Sequence, residues 1–140
     1  MERVTDRIRA IYLDQETNCA ESLFRAALES RGIQAPADCC RMMSGYSGGV
    51  SSEHLCGALL GGVAAISYLI NQGDEESFER SKEAAAAFFT ACQEAFGTVI
   101  CHEIKVAWRK EDIRCMDAVE RMAELLENIL EQFAAPGTAD

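Results

Sequence analysis

Seven cysteines stand in 140 residues: Cys19, Cys39, Cys40, Cys56, Cys92, Cys101 and Cys115. Thiols can carry electrons, bind soft metal ions and attack as nucleophiles. Their number is odd, and the opening stretch from Met1 to Arg7 lacks the apolar run of a secretory signal. The expected compartment is therefore the reducing cytoplasm, where cysteines serve as thiols, ligands or redox groups rather than permanent bridges. No C-x-x-C occurs, which removes the thioredoxin motif and the zinc ribbon, and no C-x-x-C-H occurs, so covalent haem is not expected. There is no nucleotide motif and no serine nucleophile elbow.

Placement relative to the expected helices separates the seven cysteines. Cys19 follows Asn18, a helix cap with Glu21 at the third helical position. Cys56 lies in the first turn or so after Ser51 and Ser52, either of which would cap a long helix. Cys101 comes three residues after Thr98, and Cys115 three residues after Asp112. Near a helix N-terminus, unpaired N–H groups and the positive end of the dipole favour an anion, and thiolate is one. The four would form one site if the helix starts meet at one end of a bundle. Cys92 falls within an apolar helix stripe and reads as a small buried hydrophobe. Cys39 and Cys40, after Asp38, stay open between packing and the role of resolving thiol or spare ligand.

Other groups flank these thiols. His54 precedes Cys56 by two residues and His102 directly follows Cys101. Each is a weaker candidate to ligate a metal, orient a thiolate or tune its pKa, against the plainer reading of a solvated histidine. Gly48 and Gly49 would offer N–H groups to an anion or to cluster sulfur, or form a plain turn. With Gly57 they make up the candidate cofactor-contacting set. Glu103 is either a hydrogen-bond partner for such a group or a solvated carboxylate.

The elements that must position these residues are helical. Ala, Glu and Leu are plentiful, and the only prolines are Pro36 and Pro136. The expected fold is all-α: a compact single-domain bundle over residues 1–135 with about five main helices and one short helix, then a frayed tail over 136–140. The first helix runs from about Glu2 to Leu13, and the second from Asn18 to Gly32. A short helix follows Asp38, then a glycine-rich loop over residues 44–49. The third helix runs from Ser51 or Ser52 to about Asn71, with Leu55, Leu59, Val63, Ile66 and Ile70 as its large stripe. Its small stripe, Gly57, Gly61 and Ala65, lets a neighbouring backbone approach. The fourth helix spans Asp74 to Gly97, with Phe78, Ala85, Phe89, Cys92 and Phe96 as the expected core face. A turn or shorter helix from Thr98 reaches Trp108. The last helix, capped by Asp112, carries Cys115, Val119, Met122, Leu126, Ile129 and Phe133 on one stripe.

The net charge of −10 argues against nucleic acid and anionic membranes as partners. The uncharged run from Leu55 to Ile70 is short for a membrane span and reads as a core helix.

Cys56-Gly57-Ala58-Leu59-Leu60-Gly61 resembles the C-G-A-x-x-G motif of the C_GCAxxG_C_C family, whose members are labelled redox-active on the strength of four cysteines. The resemblance covers nearly the whole chain. Asn18-Cys19-Ala20-Glu21 resembles the family's N-C-A opening, and Gly45-Tyr46-Ser47-Gly48-Gly49 its glycine-rich segment. Phe96-Gly97-Thr98 with Cys101 and Glu103 resembles F-G-S-x-x-C-x-E, and Cys115 stands where the last family cysteine is expected. Tyr46 and Ser47 depart from the usual Phe-Gly, and Leu55 from a common glycine; these departures bear on the loop more than on the thiols. The resemblance implies that Cys19, Cys56, Cys101 and Cys115 are the functional four.

The leading expectation is a four-cysteine metal or iron–sulfur site for electron transfer, iron–sulfur being preferred because scattered ligands are unusual for structural zinc. A metal-free thiol–disulfide redox protein is the alternative, and a non-redox helical interaction or ligand-binding module is the third reading. Both redox readings expect low thiol pKa values and an unidentified redox partner. A homodimer is compatible with any of them, and no specific reaction follows.

Overall fold

The computed structural model describes residues 2–134. The expected frayed tail, 136–140, lies outside the described residues. Seven α-helices follow in order: α1 Val4–Arg9, α2 Cys19–Ser30, α3 Ala37–Met42, α4 Gly57–Ile70, α5 Glu75–Phe96, α6 Cys101–Trp108 and α7 Met116–Gln132. The all-α expectation holds, with a higher helix count: the segment leading to Trp108 is a full α-helix rather than an uncounted turn. Among the described residues there is no named strand, only the isolated bridges Leu55–Ile100 and Lys110–Arg114. No helix among them is long and apolar enough to cross a membrane.

Local chemistry accounts for most boundaries. Asn18 Oδ1 accepts the Glu21 N–H at 2.9 Å, so α2 starts where the sequence predicts. Gly32, at φ 74°, turns the chain out of α2, and the Gly32 and Ile33 N–H groups bond back to Glu29 and Leu28. Asp74 Oδ1 accepts the Ser77 N–H at 2.8 Å, which starts α5, and Gly97 at φ 73° ends it.

Besides the start of α7, which lies at Met116 with Cys115 rather than Asp112 as its cap, three expectations are corrected. First, α3 begins at Ala37, with Pro36 as its cap, while the Asp38 carboxylate bonds Arg41 at 2.6 Å instead. Second, Ser51 and Ser52 cap nothing. Val50, Ser51 and Glu53 take positive φ inside a wider turn over Gly49–Glu53, and α4 starts only at Gly57 with Cys56 as its cap. The delay has a cause: the intervening backbone pairs with the chain before α6. The Cys56 N–H donates to the Val99 carbonyl at 2.8 Å, and the Cys101 N–H donates to the His54 carbonyl.

Third, the buried face of α5 is Ser77, Ser81, Ala84, Phe88 and Cys92. Phe78 and Phe89 remain 47% and 41% exposed. The helix is rotated because α4 presents small residues to it. A β-carbon at Gly62 would lie 2.5 Å from the Phe88 ring, so Phe88 occupies the hollow that glycine leaves. Phe96 is partly buried and packs on Trp108, with ring centroids 4.9 Å apart.

The core is a single cluster in which α2 and α7 are central. α2 packs on α1, α4 and α7, and α7 packs on α1 and α5 as well. The small stripe of α4 performs as expected. A β-carbon on Gly61 would sit 2.1 Å from the Ala20 carbonyl oxygen, so the α2 and α4 backbones nearly touch. At the other end of α2, Arg31 pairs with Glu127 of α7 at 2.8 Å, and Glu127 also accepts the Val4 N–H at 2.8 Å. This one carboxylate therefore ties α1, α2 and α7. Burial alone would raise the Glu127 pKa; the Arg31 and Val4 hydrogen bonds outweigh burial and hold it down at about 2.

Gly61→Ala is expected to destabilise the protein by about 1–3 kcal/mol in urea unfolding, because the obstacle is backbone. Gly45→Ala, with nothing within 4 Å of the added carbon, should change stability by under about 0.5 kcal/mol. Glu127 has a depressed folded pKa, so its stabilisation is complete above the unfolded value of 4.5 and is lost as pH falls toward about 2. Glu127→Gln should cost about 3 kcal/mol at pH 7 and remove that part of the acid dependence, read from unfolding midpoints between pH 2 and 7.

Candidate functional site

Each family cysteine stands at a helix start. Cys19 is the first residue of α2 and Cys101 the first of α6, while Cys56 caps α4 and Cys115 caps α7. All four line one cavity of about 280 Å³, so the four helix starts do meet at one end of the bundle. The arrangement has identifiable causes. Gly57 brings α4 against the Cys19 sulfur, to which an added β-carbon would lie 2.7 Å away. The bridge between Leu55 and Ile100 sets the Cys56 and Cys101 segments side by side. Gly49, at φ 69°, leaves no room for a β-carbon, which would be 2.5 Å from Cys101 Cβ. The Cys115 N–H donates to the Tyr12 hydroxyl at 3.2 Å, which holds the α7 start over the cavity.

The remaining candidates divide. Gly48 and Gly57 line the cavity, whereas Gly49 supports Cys101 from behind. His54 and His102 are exposed and are not part of the lining; His102 Nδ1 lies 3.5 Å from Glu53 Oε1. Glu103 bonds the Thr98 hydroxyl outside the cavity. Cys92 is fully buried in the core, as expected of a small hydrophobe. Cys39 borders a separate apolar groove with Met42, Tyr46 and Tyr68. Tyr12, Lys105, Arg109, Arg114 and Met122 also line the cysteine cavity, and the residue patterns did not single them out for it. Arg114 adjoins Cys115 in sequence, which was the one available signal.

Helix starts do not decide the thiol pKa values; burial does. Burial pushes the Cys19 thiol up, against the lowering effect of the N–H groups of Gly48 and Ala20. At Cys56 burial raises the pKa to about 12 despite the Leu59 and Ala58 N–H groups. Burial also raises Cys101, opposed by the charge of Lys105. A helix dipole favours an anion by about 0.3–1 kcal/mol. The rise from 9.0 to about 12 at Cys56 corresponds to about 4 kcal/mol, so desolvation wins there. The expectation of low thiol pKa values is therefore corrected at these three positions. Cys56 Sγ has Met122 Sδ as its neighbour at 3.9 Å.

All seven cysteines are free thiols. Among the described residues no three His, Cys, Asp or Glu side chains are gathered as a donor set for a metal ion. The four cavity thiols share a space without being drawn together as ligands. Cys19 and Cys115 are the two that remain partly exposed.

A protein of Archaeoglobus fulgidus, described only as uncharacterized, is 32% identical over 132 residues, which covers 84% of this chain and 87% of its own. No solved structure matches the chain. The family described as "Putative redox-active protein (C_GCAxxG_C_C)" matches residues 17–129, a span that contains all four cavity cysteines. The chain belongs to the C_GCAxxG_C_C family.

Proposed function

We propose that the protein works in the cytoplasm as a thiol-based redox protein whose reacting groups are Cys19, Cys56, Cys101 and Cys115. One observation carries this reading: four thiols from four separated segments line a single cavity. The chemistry is dithiol to disulfide. Two thiols give up two protons and two electrons and form one S–S bond, and a redox partner accepts the electrons. Attack requires a thiolate with access to its partner. Cys19 and Cys115 are the partly exposed pair and take the entering roles. Cys56, held protonated by burial, serves only after an opening of the cavity.

A second reading places a metal or an iron–sulfur cluster on the same four thiols. It is favoured by the backbone N–H groups directed at the Cys19 and Cys56 sulfurs, since such hydrogen bonds tune cluster sulfur. The donors as they stand do not form a ligand set, so this reading requires them to close in.

Differential alkylation with mass spectrometry across a glutathione redox titration separates these readings from a non-redox role. At least one pair among the four should change state reversibly, while Cys92 stays unchanged. Serine at Cys19 or Cys115 should abolish most of the change. Four thiols that remain alkylatable throughout would overturn the proposal. Stoichiometric iron with a visible charge-transfer spectrum, after anaerobic purification, would transfer it to the second reading. Alkylation of Cys56 by iodoacetamide should be the slowest of the four at pH 7 and rise about tenfold per pH unit up to pH 9, because thiolate is scarce below a pKa of about 12.

A further inference from the structure

The charge around the cysteine cavity opposes that of the molecule. The chain carries a net charge of −10, yet the charged residues lining the cavity are Lys105, Arg109 and Arg114, with no carboxylate among the lining. Arg109 Nη1 lies 4.0 Å from Cys115 Sγ. The Arg114 guanidinium lies over the Tyr12 ring, 4.1 Å from its centroid, and donates to the Tyr12 carbonyl, so it is held in place. Most other arginines meet carboxylates: Arg3, Arg7, Arg25, Arg31, Arg41, Arg80 and Arg121 form ion pairs, and Arg9 outside the cavity forms none among the described residues. No carboxylate of the described residues lies within ion-pair distance of Arg109 or Arg114. Lys105 shares its charge with Glu53 at 3.2 Å.

Two guanidinium groups thus line a cavity with no ion-paired carboxylate among the described residues. The volume, about 280 Å³, falls at the lower end of small-molecule sites, which run from about 300 to 1,000 Å³. Guanidinium forks match carboxylates and oxyanions, which accept two parallel N–H donors.

We infer that the cysteine cavity binds a small anionic substrate, a carboxylate or an oxyanion, with Arg109 and Arg114 as its counter-charges and Cys115 as the thiol it meets. The word substrate rests on the redox reading above; the anion binding does not. Arg109 is exposed and adjusts to the ligand, whereas Arg114 is positioned by Tyr12.

Two alkylating probes of similar shape test this. Iodoacetate carries a carboxylate and iodoacetamide is neutral. On the fully reduced protein, modification of Cys115 is followed by peptide mass spectrometry, and the iodoacetate-to-iodoacetamide rate ratio is taken. Arg109→Gln should lower that ratio about fivefold, the factor expected for one unit charge about 4 Å away in a watery setting. Arg114→Gln should lower it too, with folding checked by circular dichroism. Arg41→Gln, which removes a charge outside the cavity lining, should leave it unchanged. At constant ionic strength, malonate or sulfate should slow the iodoacetate reaction of the unmodified protein and lose that effect in the double variant R109Q/R114Q. Protection by malonate alone identifies a carboxylate site, and protection by sulfate alone an oxyanion site. A ratio that neither arginine variant changes would overturn the inference. Because the thiols stay reduced throughout, an arginine-dependent ratio without reversible disulfide formation defeats only the redox reading, and reversible disulfide formation with an arginine-independent ratio defeats only this one.

Discussion

At Gly61 of α4 an added β-carbon would lie 2.1 Å from the Ala20 carbonyl oxygen of α2, and the pairing of the first two thiols depends on that contact. Side chains of ordinary size would hold two helices about 8–10 Å apart. A glycine facing backbone brings them closer, and it does so one turn into α4 and at the second residue of α2. Gly57, one turn earlier, rests on the Cys19 sulfur, which places Cys19 and Cys56 at the same cavity. The other two thiols arrive by independent means. A backbone bridge at Leu55–Ile100 carries Cys101, and the Tyr12 hydroxyl takes the Cys115 N–H. Four segments far apart in the chain are thus joined by a glycine contact, a two-residue bridge and one hydrogen bond.

Burial makes this cavity chemically uneven. Helix N-termini and backbone N–H groups supply partial positive charge to the sulfurs, but removing a thiolate from water costs more. Cys19, Cys56 and Cys101 are therefore held toward the thiol form, most strongly at Cys56. Full positive charge enters from lining side chains, with Arg109 beside Cys115 and Lys105 acting on Cys101. The cavity has an inner, apolar part near Cys56 and Met122 and an outer, cationic part near Cys115.

Helix α2 was legible almost entire, and α7 apart from its start, which lies at Met116 rather than after an Asp112 cap. Asn18 caps one through its side chain, and the stripe Val119, Met122, Leu126 and Ile129 is buried on the other. The start of α4 and the face of α5 were not. Ser51 and Ser52 have good capping side chains, but the chain there is drawn into pairing with residues 99–101, a contact made across more than forty positions. On α5 Phe78 and Phe89 point away from the core because the facing surface of α4 is small. A helix of small and polar residues, Ser77, Ser81 and Ala84, packs closely there, and only Phe88 finds a matching hollow at Gly62.

By itself the sequence determined the helical class, most of the core and the four cysteines at helix starts, because capping and apolar spacing act over a few neighbouring residues. It also identified the small stripe of α4, whose spacing alone announces a close approach. Only the tertiary structure decided that the four thiols share one cavity, that burial outweighs helix dipoles at Cys19, Cys56 and Cys101, and that three cations without a lining carboxylate stand beside them. Those properties depend on distance and solvent access between segments brought together by folding, and no local pattern of residues encodes them.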